Sequence, residues 1–151
     1  EINDLRMLLE SRLVVAAMRQ MTPAHYADLL KLQEEFEAAE AQQDRQAVRA
    51  LNYRFHSQLY SLARQPQTLH FVQVLWAKYP FDLINLIGGR AGRASAEHRR
   101  LLKAIKAGDK KEVVNAVRDH IEAGWRELQA DLGRASAAAQ AEKPVKAAPG
   151  R

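Results

Sequence analysis

Three histidines, His56, His98 and His120, fall on the apolar stripes of three separate predicted helices, and Asn52 stands one helical turn before the first of them. An imidazole on a core-facing stripe must find an acceptor, a charge or a metal, because burying an unpartnered polar ring costs free energy. Rings that converge from different helices suit a divalent transition metal. Imidazole favours zinc, nickel, iron or copper, and an oxygen ligand extends the set to manganese. Asn52 would supply a neutral amide oxygen. Three imidazoles and one amide leave the cation's charge uncompensated, so such a centre should draw in an anion, for which a small carboxylate is the natural candidate. The bland alternative is three unrelated core histidines, each satisfied locally.

Spacing says which of these side chains share a face. Asn52 and His56 are four residues apart and project together, about 6 Å apart at Cβ, among Leu51, Phe55 and Leu59. His98 belongs to a stripe with Leu101, Leu102 and Ile105, and His120 to one with Val113, Val117 and Ile121. The two helices are joined at Gly108-Asp109 and should lie antiparallel. At ~1.5 Å per residue both histidines then lie about 16 Å from the turn, at nearly one level. No comparable ruler sets the His56 helix against this pair.

The elements that must position these residues are helical throughout. The first is expected over 3–20, on the repeat Ile2, Leu5, Leu9, Leu13 and Ala16. Thr22-Pro23 starts a second, to about Gln42, with Tyr26, Leu29, Leu30 and Phe36 inward. Asp44 caps a third, and Pro66 opens a fourth that Pro80 breaks. A short segment, Phe81 to Ile87, precedes a connector at 88–93, after which Ser95 is expected to cap a sixth helix through Ala107. Asp109 and Glu112 form a capping box for a seventh, Lys110 to about Leu132. Trp76 and Trp125 fall on inward stripes, whereas His25 and His70 lie off theirs. Residues 133–151, rich in Ala, Lys and Pro, read as a disordered tail.

Composition narrows the chemistry. The 151 residues fit one domain with a real core, and the absence of cysteine excludes disulfides, thiolate ligands and a cysteine nucleophile. That usage suits a reducing compartment, and the expected location is cytoplasmic. No apolar run approaches the ~20 residues of a bilayer span. Of the formal net charge of +5, the final stretch with Arg134, Lys143, Lys146 and Arg151 carries the larger part, leaving about +2 before residue 133. A body so near neutral has little electrostatic reason to grip nucleic acid itself.

Taken together, Asn52-Tyr53-Arg54-Phe55-His56, Glu97-His98-Arg99-Arg100-Leu101-Leu102, the Gly108-Asp109 turn and His120 resemble the C-terminal ligand-binding domain of GntR-type transcription regulators, FadR subgroup. Leu5-Arg6-Met7-Leu8-Leu9-Glu10 fits that family's first helix, and the likeness spans roughly residues 3–130. It implies an all-α antiparallel bundle of six or seven helices. It further implies a homodimeric regulator with an effector-binding domain at 1–132 and a winged helix-turn-helix DNA-binding domain upstream of Glu1. By the same resemblance the metal, zinc first with nickel, manganese or iron as alternatives, would be held by Asn52, His56, His98 and His120. Asn52 departs from the family's aspartate. The effector would be a small organic acid met by Arg6.

Three functions compete on this reading. One is a metabolite sensor that alters DNA binding through a second domain. Another is a metal-dependent hydrolase or oxygenase-like enzyme, against which no inward acidic residue stands out as a general base. The third is an interaction bundle with neutral, locally paired histidines. Arg6 and Glu10 read equally well as a helix-surface pair worth only ~0.2–0.5 kcal/mol. The Gly88–Arg93 loop lacks the Lys-Ser/Thr ending of a phosphate loop.

Overall fold

A computed structural model describes residues 1–141. Seven helices follow in order: α1 Ile2–Met18, α2 Pro23–Ala41, α3 Arg45–Ser61, α4 Pro66–Lys78, α5 Phe81–Ile84, α6 Arg90–Ala107 and α7 Lys110–Ala141. No strand occurs among the described residues. No described helix is long and apolar enough to cross a membrane.

The starts and stops follow local chemistry. Thr22 Oγ1 accepts from the His25 amide, Asp44 from Ala47 and Asp109 from Glu112, so three helices open on a side chain that satisfies an orphan N–H. Gly108 closes α6 with φ +69°, a left-handed cap that costs glycine little. That turn folds α7 back along α6, and α1 packs on the other side of α7. Helix α2 packs on both α3 and α6, while α4 lies against α1. One apolar core, centred on Leu13, Leu29, Phe36, Phe55, Leu59, Leu101 and Ile121, runs through the bundle.

Two expected boundaries move. Helix α6 begins at Arg90, well before Ser95, which instead sits inside the helix. Gly89 turns the chain with φ +71°, and the first turn is held by ion pairs: Arg90 to Glu97 within α6, and Arg90 and Arg93 to Glu127 on α7. Helix α7 continues past Leu132 to Ala141, so the part of the expected tail at 133–141 is helical. Its run of alanines needs no packing to favour helix, and a single Gly133 costs only about 1 kcal/mol against that preference. The rest of the expected tail, 142–151, lies outside the described residues.

Helix α1 is also rotated from its simplest reading. Leu5 and Leu8 are exposed, and the buried face is Arg6, Glu10, Leu13, Val14 and Ala17. Two charged residues thus replace leucines on the inward side. His70 is exposed and His25 half-buried at the surface, as expected. Trp125 is only partly buried, against a small second cluster of Tyr79, Ile84 and Leu128.

Candidate metal centre

The three histidines meet. Helices α3, α6 and α7 bring His56, His98 and His120 together so that one ligand nitrogen from each lies within 4.8 Å of the others. Ring centroids are 4.9–5.0 Å apart pairwise, and the Nε2 atoms of His56 and His98 are separated by 3.1 Å. Two nitrogens on one tetrahedral zinc lie about 3.3 Å apart, given Zn–N near 2.0–2.1 Å, so the observed spacing is compatible with shared ligation as well as with a direct hydrogen bond between the two rings. His56 and His98 are buried, and His120 is nearly so. The Gly108 ruler therefore worked, and the packing of α2 against both α3 and α6 brought in the third ring.

Hydrogen bonds behind the rings set their tautomers. The Glu37 carboxylate only accepts, and it receives Gln33 Nε2 at 2.9 Å, which leaves Gln33 Oε1 facing His98. His98 Nδ1 must then donate to Oε1, at 2.9 Å, and its Nε2 carries the lone pair into the cluster. His120 Nδ1 likewise donates to Glu97 Oε2, at 2.6 Å, which leaves its own Nε2 as an acceptor. Burial would raise the Glu97 carboxyl, but hydrogen bonds from His120 and Arg90 outweigh this and hold it below its usual value. Of the two lone pairs so directed, the one on His98 can accept an N–H from His56 Nε2, and a cation at the same place would engage both. His56 Nδ1 is buried with no protein partner, so its ring is committed to the cluster through the other nitrogen alone. Burial first, and the neighbouring rings second, push His56 and His98 well below the ordinary imidazole range. Both therefore stay neutral at physiological pH, the form that binds metals.

These supports were only partly visible beforehand. Gln33 and Glu10 interrupt apolar stripes, at 29, 32, 33, 36 on α2 and 6, 10, 13, 14, 17 on α1, and that interruption was the available signal. Glu97 and Arg90 carried none, because their partners come from α7 and from each other across two helical turns. Phe55 stacks on His98 at 4.5 Å, and Phe36 meets the same ring edge-on at 5.3 Å.

Arg6 lies inward but not as a surface pair. Its Nε donates to Glu10 Oε1 at 2.8 Å, and both residues are buried. Glu10 also accepts from Trp76 Nε1 and Tyr60 Oη, and the guanidinium rests 4.2 Å from the Tyr79 ring centre. Asn52 is half-buried and lines the same cavity as Arg6, His56 and His120, a space of about 650 Å³ between α3, α4 and α5. Arg49 on α3 and Asp82 on α5 form an ion pair by this cavity.

Residues 1–123 match the FCD domain family. The chain belongs to that family, the C-terminal domain of GntR-type regulators. It is 28% identical over 116 residues to the HTH-type transcriptional regulator McbR of Escherichia coli (strain K12), an alignment covering 73% of this chain and 52% of the relative. The solved structure of E. coli McbR/YncC superposes with a TM-score of 0.77 at 25% identity, covering 87% of this chain and 64% of that one. The chain thus spans about half the length of the curated relative it matches. Kinship with transcription regulators agrees with the expectation of a sensor domain rather than an enzyme.

Two expectations follow from the supporting shell. Replacing Gln33 with methionine keeps the volume but removes the acceptor that orients His98. Zinc affinity, measured by competition with a chromophoric chelator, should fall about 10–100-fold; an unchanged affinity would mean that packing alone orients the ring. The second concerns acid stability. The Arg99 hydrogen bond is the main cause that lowers the Glu37 carboxyl from 4.5 to about 2, assisted by Gln33 and Ser95 against the cost of burial. A carboxyl lowered on folding stabilises the protein above its unfolded value, and that contribution fades as pH falls from about 4.5 toward 2. Urea midpoints recorded from pH 6 to 3 should drop less steeply for Glu37→Gln than for the wild type. Parallel curves would remove Glu37 from the acid transition.

Proposed function

We propose that this FCD domain is the metabolite sensor of a dimeric, cytoplasmic transcription regulator, and that it binds a carboxylate effector at a divalent metal held by His56, His98 and His120. The observation that carries this reading is the convergence of three imidazoles, two of which, His98 and His120, are oriented by outer hydrogen bonds that leave their Nε2 atoms facing the cluster. Asn52, on the adjoining cavity wall, is the proposed oxygen ligand. Zinc suits this donor set first, with nickel, manganese or iron as other occupants. When bound, the metal would supply positive charge that attracts an anion.

The chain's own residues do the rest. Arg6 adds a second positive group beside the cavity, held in place by Glu10 and by the faces of Tyr79 and Phe81. The phenylalanines around His98 exclude water from one side, while the 650 Å³ cavity leaves the other side open to a ligand. A ligand that binds one arrangement of the dimer more tightly shifts the population toward it, and a winged helix-turn-helix domain upstream of residue 1 would convert that shift into altered DNA affinity. The range 1–132 is proposed as the effector-binding unit.

Calorimetric titration of acetate into zinc-loaded protein, repeated after chelation and dialysis, tests the reading. Binding should require the metal. Acid binding of equal strength in the stripped protein would take the metal out of the mechanism.

A further inference from the structure

Two cavities of different character share one wall. The larger, about 650 Å³, is lined mainly by carbon, whereas a smaller one of about 40 Å³ is evenly polar and apolar. Arg6, Asn52, Phe81, Asn85 and His120 border both. The smaller space has room for roughly three water-sized groups at ~10–15 Å³ each, which is the size of a carboxylate head. The larger lies within the ~300–1,000 Å³ range of clefts that enclose drug-sized ligands, and an acid of two or three carbons would leave most of it unfilled.

Tyr79, whose hydroxyl proton has no acceptor, borders the smaller cavity. Tyr79 is 7% exposed, and its hydroxyl is buried with no protein partner. Burial keeps that phenol protonated, so it can donate to an anion. Beside the larger cavity, Tyr53 and Trp76 meet edge to face at 5.5 Å, and Phe81 belongs to the boundary between the two spaces. Aromatic walls of this kind favour a flat apolar body beyond what its area alone would give.

We infer that the effector is an amphipathic monoacid: its carboxylate enters the smaller cavity, where Tyr79 donates a hydrogen bond beside Arg6, and a ring-sized apolar body fills the space beside Tyr53 and Trp76. This rests on the carboxylate-sensing function proposed above and specifies the ligand class and a further head-group contact. Tyr79 is then a binding residue whose hydroxyl is satisfied only by the ligand.

The test compares three probes on the zinc-loaded chain by calorimetry: acetate, naphthylacetate, and the neutral naphthylacetamide. Naphthylacetate should bind at least about thirtyfold more tightly than acetate, from the apolar area it buries. Its amide should bind far more weakly than the acid. Filling the mouth with Ala77→Trp, or with Ala50→Trp on the facing helix, should close the gap between naphthylacetate and acetate while leaving acetate unchanged; both alanines are exposed helix positions that a larger side chain need not unfold. Tyr79→Phe should weaken both acids about tenfold or more. Its thermal midpoint should change little, since the hydroxyl proton has no acceptor in the unliganded fold.

The failures are separable. Equal affinity for acetate and naphthylacetate overturns the apolar-body inference and leaves carboxylate sensing intact. Acid binding untouched by Tyr79→Phe overturns the head-group assignment. No binding of either acid to metal-loaded protein overturns the carboxylate reading itself.

Discussion

Glu10→Ala is expected to lower the unfolding free energy by about 3–5 kcal/mol, as for other buried ion pairs broken from one side. Glu10 is 1% exposed and is the acceptor for Arg6, Trp76 and Tyr60 at once. Removing it strands a guanidinium that is itself 4% exposed and leaves two further buried donors unpaired. Against a whole stability on the order of 5–15 kcal/mol this is a large share, and at the low end of that range the domain would lie close to unfolding at room temperature. Adding Arg6→Met to the same chain should recover a large part of the loss, because no uncompensated charge remains. Urea denaturation of the two variants measures both effects. A single variant within about 1 kcal/mol of wild type would mean that water reaches Arg6 and that the buried network is not what holds α1.

The second large effect is metal removal. A ligand that binds only the folded chain stabilises it by about 4 kcal/mol when its free concentration is a thousandfold above Kd. For a domain of this size each kcal/mol shifts the thermal midpoint by about 2–4 °C, so saturating zinc should raise it by about 8–16 °C over chelated protein. His98→Ala should abolish that rise. Its ring supplies an Nε2 to the cluster and fills space against Phe55 and Phe36, so the variant also starts from a lower midpoint. The readout is therefore the zinc-dependent difference, not the absolute value, together with elemental analysis of the purified chain. A metal-free wild type whose midpoint ignores both zinc and chelator would return the three histidines to the status of core residues.

How far the site was legible depended on whether distance along the chain controlled distance in space. His98 and His120 are tied through one tight turn, so helix rise alone brings them to one level, and their rings do lie 5.0 Å apart. Asn52 and His56 share a face for the same reason, and both border the cavity. The tautomers of these rings were not legible. They depend on Gln33 and Glu37 from α2 and on Glu97 from the same helix as His98, and no spacing rule says that a glutamine on α2 will point at a histidine on α6. Arg6 and Glu10 show the limit most sharply. Four-residue spacing says only that they can pair, while burial against α4 decides whether the pair is worth tenths of a kcal/mol or several.

The sequence by itself determined the helical character of the described residues, most of their caps and breaks, the family to which the chain belongs, and the common level of His98 and His120 on either side of the Gly108 turn. Each of these rests on periodicity or on a side chain acting within a turn of its own position, and such local interactions read the same in any fold. Tertiary structure alone decided where α6 begins, that His56 joins the other two rings, which atom of each ring faces the cluster, and that a small cavity bordered by an unpartnered tyrosine adjoins a larger one. Those outcomes turn on ion pairs and hydrogen bonds between helices far apart along the chain. Their energies exist only once packing has excluded water and fixed both partners.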